Sequence, residues 1–223
     1  MNPVLGVIHG RTSLRRYKDH PISDQDLQTI LEATLRAPTA GNMMLYSVLT
    51  IKDQTTKDTL SKTCDNQPFI ARAPLVLVFL ADYQRWFDYY RLSGVEDLRP
   101  PDVGDLFLAM DDALIAAQTA VIAAESLGIG TCYIGDIMEN YETHRKLLGL
   151  PDYVFPAAML TLGYYPPAYQ PKFRERFDQE YIVHSESYRH LGDADLAKMF
   201  ARLEEDFTPK NKFGAKNMGQ FTY

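Results

Sequence analysis

Residues 105–127 constrain the fold more than any other stretch of this chain. They read as one helix of about six turns, carrying alanine at 109, 113, 116, 117, 120, 123 and 124. Small residues around much of the circumference let neighbouring backbones come close, so this helix belongs at the centre of the molecule. Its most apolar part, 106–124, also holds Asp111, Asp112 and Gln118, which argues against a membrane span. A second constraint is the unbroken apolar run 73–81, suited to a strand buried on both faces.

The remaining elements follow from local signals. Residues 3–9 suit a short helix. Ser23 is a candidate N-cap with Asp26 three residues on, a variant of the capping box, and Leu27, Ile30, Leu31 and Leu35 continue at helical spacing. That helix should stop near Ala37, because Pro38 disfavours helical geometry just before it. Strands are expected at 46–52, 131–134 and 155–163, and helices at 55–63, 139–148 and 194–205, the last capped by Asp193. The segment 82–104 carries Trp86, Tyr89 and Tyr90 and reads either as a lid or as surface packing. Short strands without regular βαβ spacing favour an α+β fold over a doubly wound parallel sheet. A single domain over 1–207 is expected, with 208–223 as an arm or tail.

Charge narrows the function classes. The chain has 223 residues, 23 Lys+Arg and 29 Asp+Glu, a net charge of -6. An acidic balance disfavours nucleic acid and anionic membrane surfaces as main partners. Two distant cysteines, Cys64 and Cys132, form neither a metal spacing nor a disulfide framework, and they are expected to be reduced thiols of a cytoplasmic protein. The five histidines show no metal spacing, and GxSxG, GxGxxG and P-loop motifs are missing from the sequence. An enzyme of this kind needs a cofactor for its difficult step, with no catalytic side chain and no metal expected.

Four stretches are candidates for holding that cofactor. Arg11, Thr12, Ser13 and Arg15 combine guanidinium groups with hydroxyls, which suits a phosphate monoester. Pro38, Thr39, Ala40, Gly41 and Asn42 form a small-residue turn that a flat ligand can approach, with Gly41 free to take positive φ. Tyr133, Ile134, Gly135 and Asp136 end a strand where backbone N–H groups become available. Lys172 and Arg174 put two cations on one side of an extended segment. Each stretch also has a plain reading, as a solvated basic turn, a helix-to-strand turn, a strand end or surface charge.

Taken in order, these motifs resemble the nitroreductase family of FMN-dependent oxidoreductases. The resemblance runs from Arg-Thr-Ser-Leu-Arg-Arg-Tyr through Pro-Ile-Ser and Ala-Pro-Thr-Ala-Gly-Asn to Ala-Ala-Glu-Ser-Leu-Gly-Ile-Gly, Tyr-Ile-Gly, Leu-Gly-Tyr and Pro-Lys-Phe-Arg. It covers about residues 5–190 and is closest to the larger NADPH-preferring flavin reductases and oxygen-insensitive nitroreductases, which share Gln67 and the late Lys-x-Arg.

The resemblance implies a mostly antiparallel central sheet flanked by helices, a long central helix and an extended C-terminal arm. It implies a homodimer with FMN at the interface, NADPH or NADH as reductant, and a small-molecule electron acceptor such as a nitroaromatic, a quinone or a flavin. By the same resemblance Arg11, Ser13 and Arg174 meet the FMN phosphate, and Arg15 and Lys172 lie near N1 and O2 of the ring. Asn42 and Gln67 meet the ring edge or ribityl chain, and the backbone at Gly135 and Asp136 faces N5 and O4. Two alternatives share the fold: a flavin-binding or storage protein without turnover, and a specialised enzyme that dehalogenates, fragments flavin or oxidises a heterocycle. The chain departs from the family pattern in placing Asp136 where a second glycine is common, and Met43-Met44-Leu45 where Gln-Pro-Trp often follows the asparagine. No match is evident for the distal arginine that grips the NADPH 2′-phosphate.

Overall fold

Alternation along one strand organises the architecture. In the computed structural model, which describes residues 2–211 and 213–223, strand β2 (Leu75–Asp82) is buried along its whole length. Its Leu75, Leu77, Phe79 and Ala81 enter one core, while Val76, Val78 and Leu80 enter another on the opposite face. The sheet is therefore the middle of three layers. β1 (Tyr46–Ile51), β2, β4 (Val154–Tyr164) and β3 (Ile129–Ile134) lie in the order β1-β2-β4-β3, every neighbour antiparallel. Pro156 sits beyond the last β3 pair, Ile134 with Met159, beside an irregularity at Phe79/Leu80. There β4 has a single neighbour, which a residue without an N–H tolerates.

The long helix is α6, Val103–Ser126, and it packs across the sheet together with α2 (Asp24–Thr34). Ala109, Ala113, Ala116, Ala117, Ala120 and Ala124 are buried, as their size predicts. By length and hydropathy alone α6 passes as a membrane span; here it is the core helix of one layer. The other face carries α3 (Gln54–Thr63), α4 (Pro68–Arg72) and α7 (Tyr141–Leu148). α1 (Pro3–Gly10) and α5 (Gln84–Leu92) complete the helices preceding residue 171.

Ser23 caps α2 through Asp26 N at 3.0 Å, but the Asp26 carboxylate turns to the Tyr164 hydroxyl (2.6 Å) instead of closing a capping box. α2 ends at Thr34, three residues before Ala37, and a turn fills the gap to Pro38. Both cysteines are free and buried.

The chain divides into two compact units, Met1–Pro171 and Lys172–Tyr223. The second contains α8 (Gln179–Ile182), α9 (Asp193–Glu205) and α10 (Met218–Thr222). The cap of α9 is Gly192, with Asp193 as the first helical residue, one position from where the sequence put it. Glu204 of α9 accepts from Met218 N (2.9 Å) at the start of α10, so the last residues have structure of their own.

Candidate functional site

Arg11 to Arg15 is neither helix nor turn. Leu14 N donates to Thr131 O at 2.8 Å, and Ser13 forms a parallel bridge with Thr131, so the segment runs extended along the free edge of β3. Alternation then sorts the side chains. Thr12 and Leu14 are buried, while Ser13 and Arg15 face out. Arg11, Ser13 and Arg15 share one side, the geometric reason that an Arg-x-Ser-x-Arg pattern makes a single grip. Gly130 is what admits the segment: a Cβ there would stand 2.5 Å from Leu14.

The floor beneath is tightly satisfied. Glu125, at the end of α6, accepts from Thr131 N (3.1 Å), Thr131 Oγ1 (3.0 Å) and Tyr165 OH (2.6 Å). Burial raises its carboxyl above the ordinary value of 4.5, against these bonds and Arg11 nearby. Burial likewise pushes the Cys132 thiol up, with Arg15, a bond from Ser13 and Arg11 opposing. Tyr133 is pushed up to about 12 by burial, opposed by Arg11. Thr12 Oγ1 pairs with Tyr169 OH at 3.0 Å. A cavity of about 690 Å³ opens here, lined by Arg11, Thr12, Glu125, Tyr165 and Tyr169.

Arg11 is the exception to this satisfaction. Its Nε is buried without a hydrogen-bond partner among the described residues. A buried guanidinium N–H left unpaired is costly, and an anion would complete it. A phosphate monoester beside Arg11 and Ser13 fits that donor set.

Arg15 reaches Phe69, with its guanidinium 5.7 Å from the ring centre. There it neighbours the α3–α4 turn, in which left-handed Asp65 and Asn66 deliver Gln67. Gln67 Nε2 donates to Asp136 at 2.9 Å, which brings the turn against the end of β3. Arg11, Thr12, Ser13, Arg15, Gln67, Tyr133, Ile134, Gly135 and Asp136 thus form one neighbourhood at the β3 edge.

Pro38, Thr39, Ala40 and Asn42 do not join it. Their loop is held by Asp112 of α6. The Asp112 carboxylate accepts from the Thr39 hydroxyl, from Ala40 N (2.9 Å) and from Leu45 N (3.0 Å). Gly41, Asn42 and Met44 all take positive φ, so the loop is tightly wound, as expected for Gly41 but not for the others. Trp86 Nε1 donates to Met43 O (2.7 Å) and Arg85 to Tyr46 O (2.9 Å), so α5 buttresses this loop. Asp112 and Glu125 are 13 residues apart on α6, which separates the two clusters by about 20 Å at 1.5 Å per residue. The loop also precedes β1, at the sheet edge opposite β3. Lys172 and Arg174 are exposed at the start of the second unit.

Sequence reasoning missed Asp112 and Glu125. Both carboxylates sit on a largely apolar, alanine-rich helix, which was the available signal. Phe69 carried no sequence signal as a neighbour of Arg15.

Comparisons with known proteins give the family. The nitroreductase family model matches residues 8–164, and the chain belongs to that family. An FMN reductase [NAD(P)H] of Bacillus subtilis is 36% identical over 93% of this chain and 82% of its own length. An oxygen-insensitive NADPH nitroreductase of Salmonella typhimurium is 31% identical over 92% and 82% respectively. The solved structure of Bacillus megaterium NfrA2 superposes with a TM-score of 0.85 at 32% identity, covering 100% of this chain and 90% of the other.

Proposed function

We propose that this protein is an FMN-dependent NAD(P)H oxidoreductase that reduces small acceptors such as nitroaromatics, quinones or flavins in a ping-pong cycle. The observation that carries this reading is the extended Arg11–Arg15 segment with its unpaired Arg11 Nε, in a chain whose relatives include an FMN reductase and an NADPH nitroreductase.

Arg11 and Ser13 hold the FMN phosphate. Arg15 lies at N1 and O2 of the ring, where negative charge develops on reduction, and its cation favours the reduced form. Gln67 meets the ring edge, and the backbone at Gly135 and Asp136 faces its N5 side. FMN supplies hydride transfer between the nucleotide and the acceptor. The protein's part is to bind, orient and polarise, and no side chain is needed as an acid. Two substrates visiting one open face in turn produce the ping-pong pattern.

The site is completed in a homodimer. Within one chain the 38–42 loop stands some 20 Å along α6 from Arg11, so the partner's loop fills the gap. An exposed apolar face supports this: Phe107, Leu114 and Ile115 on α6, with Val4, Leu5 and Ile8 on α1. The α5 aromatics then cover the substrate side. The tail is the arm that embraces the partner.

Purified protein should be yellow, dimeric on sizing and bleached anaerobically by NADPH or NADH. Comparing the two nucleotides in that half-reaction sets the preference. Colourless protein that rejects added FMN would sink the reading, and stable FMN without bleaching would favour a storage protein.

A further inference from the structure

Gln67 is held more firmly than a surface glutamine needs to be. Its backbone N–H donates to Ser61 O (2.8 Å), and its carbonyl accepts from Ser61 Oγ (2.9 Å) and Ile70 N (3.0 Å). Its side chain is half-buried and uses both amide hydrogens, one on Cys64 O (3.0 Å) and one on Asp136 Oδ2 (2.9 Å). Both partners only accept, so the orientation of the amide is decided: a flipped amide would set its oxygen against two oxygens. What remains is Oε1, which has no hydrogen-bond partner among the described residues and can only accept.

Asp136 decides this outcome. With glycine there, as in the common family pattern, one amide hydrogen would stay free and Gln67 would offer a donor as well as an acceptor. The carboxylate consumes that donor. Asp136 is itself half-buried in a turn anchored by His144 Nδ1 on Ile137 O at 2.6 Å, so neither end of the pair is loose.

We propose that Asp136 is a positioning residue that turns Gln67 into an acceptor-only contact, selecting ring ligands that present an N–H donor at this edge. The inference rests on the flavin reading above. An oxidised isoalloxazine has a single ring N–H, the imide N3–H, so that atom is the group selected.

The test is a pair of dissociation constants, for FMN and for 3-methyl-FMN, measured by fluorescence on full-length protein freed of flavin. The wild type should bind FMN about tenfold tighter or more, the loss expected when one buried hydrogen bond is removed. In Asp136→Ala the freed Gln67 donor can serve a ring carbonyl instead, and the ratio should fall to about threefold or less. Asp136→Asn, whose amide oxygen can still accept from Gln67, should restore the wild-type ratio; a merely structural staple would not move this ratio at all. Equal binding of the two flavins by the wild type overturns the proposal. So does an unchanged ratio in Asp136→Ala, or a ratio in Asp136→Asn that follows Asp136→Ala. Failure of the wild type to bind either flavin instead overturns the flavin reading, and this inference falls with it.

Discussion

The β3 edge and the 38–45 loop are built on opposite electrostatic plans. At the β3 edge, Arg11 and Arg15 face outward without an ion pair among the described residues, and one buried guanidinium N–H is left over. At the loop, the nearly fully buried carboxylate of Asp112 satisfies the surrounding donors from within. The first region is unfinished without an anion. The second is finished in isolation and presents a rigid, small-residue surface. A site assembled from both divides the labour: one half binds charge and the other supplies shape.

The sharpest way to break this comparison is to empty the second half. Asp112→Ala orphans the half-buried Ala40 N and the buried Leu45 N and should lower stability by about 2–4 kcal/mol. Urea unfolding reads this directly, and a loss under about 0.5 kcal/mol would mean water replaces the carboxylate cheaply.

The first half should behave differently. Arg11→Ala removes a charged partner of the ligand, not of the fold. FMN affinity should drop by roughly 10- to 100-fold with little change in the unfolding midpoint. If stability fell while FMN binding stayed intact, the segment would be only a structural basic turn.

Arg15→Ala sharpens the comparison within the β3 edge. Loss of a cation beside the reduced ring should lower the bound flavin's two-electron potential by about 30 mV, with a smaller effect on affinity than Arg11→Ala. Equilibration with a reference dye measures it, and an unmoved potential would place Arg15 away from the ring.

The smallest effect concerns Glu125, which supports the β3 edge from below. Burial raises its folded carboxyl above 4.5. A raised folded pKa means its contribution to stability is full below the unfolded value and is lost as pH rises through the folded one. Glu125→Gln should therefore flatten the fall in melting temperature from pH 4.5 upward. An identical slope in both proteins would show that Glu125 titrates normally.

Much of this was legible beforehand, for identifiable reasons. The run around Val76–Leu80 is apolar at every position, so burial on both faces followed without knowing its neighbours. The alanines of α6 marked the central helix for the same reason. The candidate residues were legible as types, and those at the β3 edge lie together in the fold. Their arrangement was less so. Arg11, Ser13 and Arg15 read as a turn before a helix, because an isolated five-residue segment has no periodicity strong enough to declare a strand. Its pairing partner, Thr131, lies far away in sequence. The 38–42 loop looked like part of one site because sequence order carries no distance.

By itself, the sequence determined the double-sided burial of the β2 run, the central place of α6 and which chemistry is on hand, because these follow from side-chain size, polarity and strong local period. Tertiary structure alone decided that Asp112 and Glu125 separate the candidate residues into two clusters along α6. It alone turned a glycine-to-aspartate difference at 136 into a hydrogen bond on Gln67. Both depend on contacts between residues distant in the chain, whose geometry exists only once the sheet has brought them together.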